Sequence, residues 1–91
     1  MTISELSLIF LENKYNQISY NTYGNYQDRL KIINEYLGNI KLKDFKKERI
    51  EDFEKYLNNE RINLKKLQDQ INDFQKIRIT NSLDIIWNTK R

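Results

Sequence analysis

Residues 19–57, SYNTYGNYQDRLKIINEYLGNIKLKDFKKERIEDFEKYL, contain two amphipathic patterns separated by a short basic connector. Ser19 opens a Ser-x-x-Thr sequence that is typical of a helix N-cap. Gly38 fits the left-handed position just past a helix end. Between them, apolar side chains recur at helical spacing, which predicts a second helix from the Ser19 cap to about Leu37. Its apolar stripe is Tyr23, Tyr26, Leu30, Ile33 and Leu37.

The connector, NIKLKDFKK at residues 39–47, alternates apolar with basic side chains. We expect Leu42 and Phe45 to dock inward while the lysines face solvent or a partner. A third helix is predicted from Lys46 or Lys47 to Asn58, because apolar side chains again recur at helical spacing. Its apolar face is Ile50, Phe53 and Leu57, with Tyr56 alongside.

Helical patterns flank this stretch on both sides. Helix one is predicted from about Ile3 to Asn16, capped by Thr2 or Ser4. Its apolar face is Leu6, Ile9 and Phe10. Helix four is predicted to begin at an Asn63 cap. Its apolar seam is Leu64, Leu67, Ile71, Phe74 and Ile77.

The end of the chain adds a short apolar tail. A break is predicted near Thr80 to Ser82, followed by one or two turns of a short fifth helix that carries Leu83, Ile86 and Trp87 on one side. We expect Trp87 to close the core. The whole chain, residues 1–91, is interpreted as one all-α domain, a compact bundle of four main helices. A length of 91 residues, no proline and only two glycines agree with that interpretation.

Composition excludes several kinds of chemistry. The chain has no cysteine and no histidine, which excludes disulfides, thiolate zinc sites and the usual general base near neutral pH. We expect no cofactor and no metal, since carboxylates scattered along amphipathic helices usually form solvated faces. No catalytic constellation is visible, so the chain by itself is not expected to be an enzyme.

The charge balance is mildly basic. A net charge of +3 and a pI near 9.1 permit nucleic-acid binding without requiring it. No apolar run approaches the roughly 20 residues of a membrane span, and the N-terminus lacks the basic leader of a signal peptide. We therefore expect no membrane partner and a cytoplasmic location.

Three groups of polar or basic residues are candidate contacts to a DNA duplex. The first lies at the start of helix two and consists of Ser19, Asn21, Thr22 and Asn25. The second is the basic run of the connector, Lys41, Lys43, Lys46 and Lys47. The third is expected to open helix four and consists of Arg61, Lys65, Lys66 and Gln68. For each group a structural alternative stays open: helix capping for the first, a solvated linker for the second and an exposed helical face for the third.

The order of these parts resembles the core-binding domain of tyrosine recombinases, the SAM-like N-terminal domain of phage integrases. The matching features are Ser19, Thr22 and Tyr26, then Tyr36-Leu37-Gly38, then Leu42-Lys43-Asp44-Phe45, and finally Ile50, Phe53 and Leu57. The resemblance runs from helix one to about Phe74. It implies a small helical module that clamps one side of a DNA duplex, with helix two approaching the duplex and a separate catalytic domain performing the strand transfer.

Two functional hypotheses follow from this resemblance. The first is a DNA-binding module with double-stranded DNA and a recombinase catalytic domain as partners. It requires that the Ser19 and Lys65 helix beginnings face the same side of the molecule. The alternative is a stand-alone small protein from a mobile element that binds another protein as an inhibitor or regulator. The acidic residues Asp69 and Asp73 on helix four, together with Trp87 in the tail, favour the alternative.

Overall fold

The helices form where the apolar spacing predicts them. The computed structural model describes residues 1–83. Within this range the chain forms four α-helices, two single-turn 3-10 helices and no β-strand, which confirms the all-α prediction. The α-helices are α1 (Ile3–Lys14), α2 (Tyr20–Leu37), α3 (Lys47–Asn59) and α4 (Gln68–Thr80), and the 3-10 helices are Leu42–Asp44 and Leu64–Lys66.

A reciprocal cap begins α1. The Thr2 hydroxyl accepts a hydrogen bond from the Glu5 backbone N–H (3.2 Å), and the Glu5 carboxylate accepts one from the Thr2 backbone N–H (2.7 Å). The bond from the Thr2 backbone, helped by the Thr2 hydroxyl, holds the pKa of Glu5 below its usual value. Of the two predicted caps, Thr2 is therefore the one used. The helix ends at Lys14, where the Gln17 N–H bonds to the Lys14 carbonyl (3.0 Å) and turns the chain toward α2.

One apolar core joins all four helices and the connector. Phe74 of α4 is fully buried in it, with its ring centroid 6.1 Å from that of Phe10 in α1 and 6.3 Å from that of Phe45 in the connector. Phe45 is buried as expected, and Leu42 is half-buried against the core. The fully buried apolar side chains are Ile3, Leu6, Phe10, Leu30, Ile33, Leu37, Phe45, Phe53, Leu57, Leu67, Ile71, Phe74 and Ile77.

Gly38 follows α2 in a right-handed conformation, with φ −58° and ψ −32°. The left-handed geometry expected from the sequence is therefore wrong. The need for glycine comes instead from a close approach, because a Cβ at this position would lie 2.5 Å from the Asn34 carbonyl oxygen. The Gly38 carbonyl also accepts a hydrogen bond from the Ser4 N–H (3.1 Å), which ties the end of α2 to the start of α1.

The connector is fastened to the N-terminal segment by backbone hydrogen bonds. The Ile3 N–H donates to the Ile40 carbonyl (2.9 Å), and the Leu42 N–H donates to the Met1 carbonyl (2.8 Å). Between these bonds, Thr2 and Lys41 form an isolated antiparallel bridge. Residues 40–42 are thus held beside residues 1–3.

The beginning of helix four differs from the prediction. Asn63 is a cap, as expected, but its side chain accepts from the Lys65 N–H (2.9 Å) and caps the 3-10 helix Leu64–Lys66. The α-helix starts only at Gln68 and ends where Asn81 takes a left-handed conformation (φ 54°), within the predicted break. The predicted seam is buried except for Leu64, which is half-buried. Leu83 packs against the core, while the predicted fifth helix and the positions of Ile86 and Trp87 lie outside the described residues.

A charged pair crosses from α1 to α4. Lys14 is buried, with its ammonium nitrogen 5.5 Å from the centroid of the Phe10 ring. This burial lowers the pKa of Lys14, and the charge of Asp73 opposes that change. Burial likewise raises the pKa of Asp73, against the opposing charges of Lys76 and Lys14.

The raised pKa of Asp73 predicts a pH dependence of stability. A carboxyl whose pKa is higher in the folded chain favours folding at acid pH, and that contribution is lost as the pH rises from the ordinary value of 3.8 through the raised pKa. We therefore expect the free energy of unfolding of Asp73→Asn, relative to the unsubstituted protein, to increase over that window and to stay level below it. Urea unfolding at a series of pH values measures the difference. A difference that is constant with pH would contradict the burial of this carboxyl.

Candidate nucleic-acid interface

The start of α2 presents a cluster of exposed polar groups. Ser19 is the N-cap: its hydroxyl oxygen accepts from the Thr22 N–H (3.2 Å) and donates to the Thr22 hydroxyl (2.9 Å). The backbone N–H groups of Tyr20 and Asn21 have no carbonyl acceptor within α2, because they lie in the first turn of the helix. These N–H groups and the helix dipole favour an anion at this end. Capping is thus the observed role of Ser19 and Thr22, and it leaves adjacent donors available.

A groove between α2 and the segment before α4 brings together two of the predicted groups. This α2–α4 groove has a volume of about 300 Å³ and is lined by Asn25, Asp28, Arg29, Ile32, Lys66 and Leu67. Asn25 and Lys66 were predicted as contacts from different parts of the chain, and the fold places them on one surface. Two cations and one carboxylate line the groove, so its charge is positive on balance.

Arg29 is a groove residue that the sequence reasoning missed. It lies four positions after Asn25, so the two residues share one face of α2, and that i,i+4 spacing is the signal that could have revealed it. Its guanidinium carbon lies 5.8 Å from the centroid of the Tyr26 ring. Tyr26 is in turn anchored on the core residue Phe10, with ring centroids 5.3 Å apart. Core packing therefore positions the Arg29 side chain through a cation–π contact.

The basic residues expected to open helix four lie in the turn that precedes it. Arg61 adopts a left-handed conformation (φ 58°), and the next N–H, of Ile62, bonds back to the Leu57 carbonyl (2.9 Å). Lys65 and Lys66 belong to the 3-10 helix and are exposed, while buried Leu67 anchors the turn to the core. The prediction that these cations open helix four is therefore wrong, because they precede the first residue of α4.

Gln68 is the first residue of α4, and one N–H of its side-chain amide makes a hydrogen bond within the helix. Its side-chain nitrogen donates to the Asn72 side-chain oxygen (2.9 Å). The amide of a glutamine can read a base edge only when its donor and acceptor are both presented to the base. The bond to Asn72 uses one of the two amide N–H donors, so the second N–H and the carbonyl oxygen of Gln68 are not used by it.

The connector lysines fall into two places. Lys41 and Lys43 line a second groove, at the far end of α4, with Arg78. Lys46 and Lys47 are exposed at the start of α3, where Lys46 is the N-cap residue and makes no side-chain capping bond. Cations at a helix N-terminus are disfavoured by the helix dipole, by about 0.3–1 kcal/mol. Lys46 and Lys47 therefore do not stabilise α3 through their charge.

The exposed side of α3 has the opposite character. A shallow surface there is lined by Glu51, Asp52 and Glu54, together with Lys55 and Asn58. Three carboxylates on one helix face repel a polyanion. This face is therefore unsuited to DNA, and any contact with a duplex is confined to other sides of the molecule.

Other kinds of site find no support in the described part of the chain. Residues 1–83 contain no cluster of three or more side chains able to hold a metal ion. None of the described helices is long and apolar enough to cross a membrane.

Comparison with protein-family models gives a match. A family model described as phage integrase, N-terminal SAM-like domain, matches residues 2–58, more than half of the chain. The matched range contains α1, α2, the connector and all of α3 but its last residue. It includes Asn25 and Arg29 and ends before Lys66. Comparisons with curated proteins and with solved structures gave no significant match.

Proposed function

This chain belongs to the family of phage integrase N-terminal SAM-like domains, and from that membership we propose that it binds double-stranded DNA through the α2–α4 groove. The N-terminal SAM-like domain is a non-catalytic region of integrases. The proposed role is accordingly to supply affinity and placement on the duplex for a recombinase catalytic domain. The contacts would be made mostly to phosphates, which fix the register of a protein on DNA.

The observation that carries this proposal is the convergence of Asn25, Arg29 and Lys66 on one groove. They come from two segments that are far apart in the sequence and meet only in the folded chain. A guanidinium, an ammonium and an amide are the side-chain donors most used for phosphate oxygens. Asp28 on the same wall limits how closely a phosphate can approach that side, so the Arg29 and Lys66 side is favoured.

The start of α2 extends the same surface along the helix. Asn21 in the first turn precedes Asn25 by four residues, so the two side chains share one face of α2 and lie about 6 Å apart along its axis. Each strand of a duplex carries a phosphate about every 3.4 Å of axis. The donors at the α2 N-terminus and those of the groove are therefore spaced to contact different phosphates of one backbone.

A charge reversal at the groove is the direct test. We expect Lys66→Glu to weaken binding to a fluorescent duplex roughly tenfold at low salt, because it removes a phosphate contact and adds repulsion. The plot of log affinity against log salt should become shallower by about 0.9. Fluorescence anisotropy over a salt series measures both quantities. Thermal stability should hardly change, since Lys66 is exposed.

Lys55→Glu provides the matched control, because it makes the same charge change on the acidic face of α3. The proposal expects Lys55→Glu to bind almost as tightly as the unsubstituted protein. Equal losses in the two variants would show a general charge effect without a defined groove. No duplex binding by the unsubstituted protein at low salt would refute the proposed function, and stoichiometric capture of a protein after nuclease treatment would then support the regulator hypothesis.

A further inference from the structure

A second cationic groove lies at the C-terminal end of α4. It has a volume of about 250 Å³ and is lined by Met1, Lys41, Leu42, Lys43, Arg78 and Asn81. Three of these six residues are cationic and none is acidic. We name it the Lys41–Arg78 groove. Arg78 lies 11 residues beyond Leu67 of the α2–α4 groove, about 16 Å along the axis of α4, so the two grooves are separate.

One hydrogen-bond donor of the Arg78 guanidinium has no acceptor. Its Nε atom is buried and finds no hydrogen-bond partner among the described residues. A buried donor without an acceptor destabilises the folded chain, and a charged donor does so more strongly. Because an arginine side chain has donors and no acceptor, the partner that fits this atom is an acceptor such as an oxygen. A negatively charged oxygen forms the strongest hydrogen bond with it.

The walls of the Lys41–Arg78 groove are held in place by the backbone. The bond from the Leu42 N–H to the Met1 carbonyl (2.8 Å) joins two of its sides, and the Asp44 N–H closes a turn onto the Lys41 carbonyl (2.9 Å). On the third side, the Asn81 N–H bonds to the Ile77 carbonyl (2.8 Å) at the left-handed end of α4. Two lysines and an arginine are thus brought together before any ligand arrives, which lowers the entropic cost of binding.

We propose that the Lys41–Arg78 groove binds a phosphate group. The planar fork of Arg78 can pair with two oxygens of a tetrahedral oxyanion, and the two lysines add mobile point charges around it. The same chemistry is offered by a free phosphate ion and by a phosphate of a nucleic-acid backbone. The proposal does not depend on the α2–α4 groove, because it concerns residues at the opposite end of α4.

A titration followed by NMR tests the proposal on the unsubstituted chain. Inorganic phosphate and pyrophosphate are added at constant ionic strength, with chloride as the balancing salt, and the Arg78 Nε–H and the amides of Lys41 and Lys43 are observed. We expect saturable shifts at these groups, with pyrophosphate binding more tightly than phosphate. Arg78→Gln should weaken pyrophosphate binding at least tenfold, and Arg78→Lys should weaken it less. Arg49→Gln, a change of the same charge on exposed α3, should leave it unchanged.

The arms of the experiment separate the sources of phosphate. If a short duplex produces the same shifts, and Arg78→Gln makes its salt dependence shallower by about 0.9, the natural ligand is a nucleic-acid phosphate. If phosphate and pyrophosphate bind but the duplex shifts the signals of none of these groups, the ligand is a free phosphate.

Should Arg78→Gln fail to fold, the double variant Lys41→Gln with Lys43→Gln, at two exposed positions, takes its place. Absence of saturable shifts with all three ligands, or equal loss in Arg49→Gln, would overturn the proposal. Neither result changes the expected effect of Lys66→Glu on duplex binding, so this site and the proposed function can be refuted separately.

Discussion

Replacing Phe74 with alanine is expected to lower the free energy of unfolding by about 3–5 kcal/mol, the usual cost of removing a buried aromatic ring. Phe74 is fully buried and packs its ring against Phe10 of α1 and Phe45 of the connector. A cavity at this position would separate three segments at once. Small domains have only about 5–15 kcal/mol of stability in total. The midpoint of thermal unfolding should therefore fall by more than about 10 °C.

Ile79→Ala is the matched control for this prediction. Ile79 lies on the same helix, but its side chain is 70% exposed. Its truncation should change the free energy of unfolding by no more than about 0.5 kcal/mol, as is usual for surface positions. Urea unfolding followed by circular dichroism compares the two variants. Similar losses in both would mean that α4 does not present Phe74 to the core.

The two glycines of the chain are expected to respond to alanine with opposite signs. At Gly38 a new Cβ would lie 2.5 Å from the Asn34 carbonyl oxygen, which is backbone and cannot rotate away. Overpacking of this kind costs about 1–3 kcal/mol. At Gly24 a new Cβ would meet nothing within 4 Å, and the residue lies within α2. There alanine should stabilise the protein by about 0.5–1 kcal/mol, because it restricts the unfolded chain and suits a helix.

Each glycine variant is the control for the other, since both add a single methyl group. Urea unfolding gives the two free energies directly. The prediction requires Gly38→Ala to unfold at lower urea and Gly24→Ala at higher urea than the unsubstituted protein. Stabilisation by Gly38→Ala would show that the close approach to Asn34 is relieved at no cost, and the role assigned to this glycine would be wrong.

Local sequence patterns were sufficient for the helices because each pattern is decided within a few residues. The Ser19 cap, the inward Phe45 and the α2 stripe from Tyr26 to Leu37 were predicted and are confirmed. Tyr23 was predicted on the same stripe, but its ring packs against exposed Tyr15 and not against the core. Two local predictions were wrong for a common reason. The conformation of Gly38 and the starting point of α4 depend on backbone packing that residue type does not reveal: the approach to Asn34 in one case and the capped turn from Asn63 to Leu67 in the other.

The candidate contacts were predicted in part. The polar residues at the start of α2 and the loop lysines were named from charge and helix-start patterns, and their binding to DNA stays a prediction. Arg29 and Arg78 were missed: the i,i+4 spacing of Arg29 from Asn25 was overlooked, and Arg78 has no comparable local signal. Their relevance comes from what lies opposite them in the fold, which is Lys66 in one groove and Lys41 in the other.

The sequence by itself determined the four α-helices within residues 1–83, most of their core-facing side chains and the family, because apolar periodicity and capping residues act over one or two turns. Only the tertiary structure decided which cations share a surface. Lys41 and Lys43 lie at one end of α4 and Lys66 at the other, since hydrogen bonds between residues 1–3 and 40–42 hold the connector at one end and Leu67 anchors the loop at the other. Long-range backbone pairing and core packing set these positions, and neither is encoded in the spacing of charges along the chain.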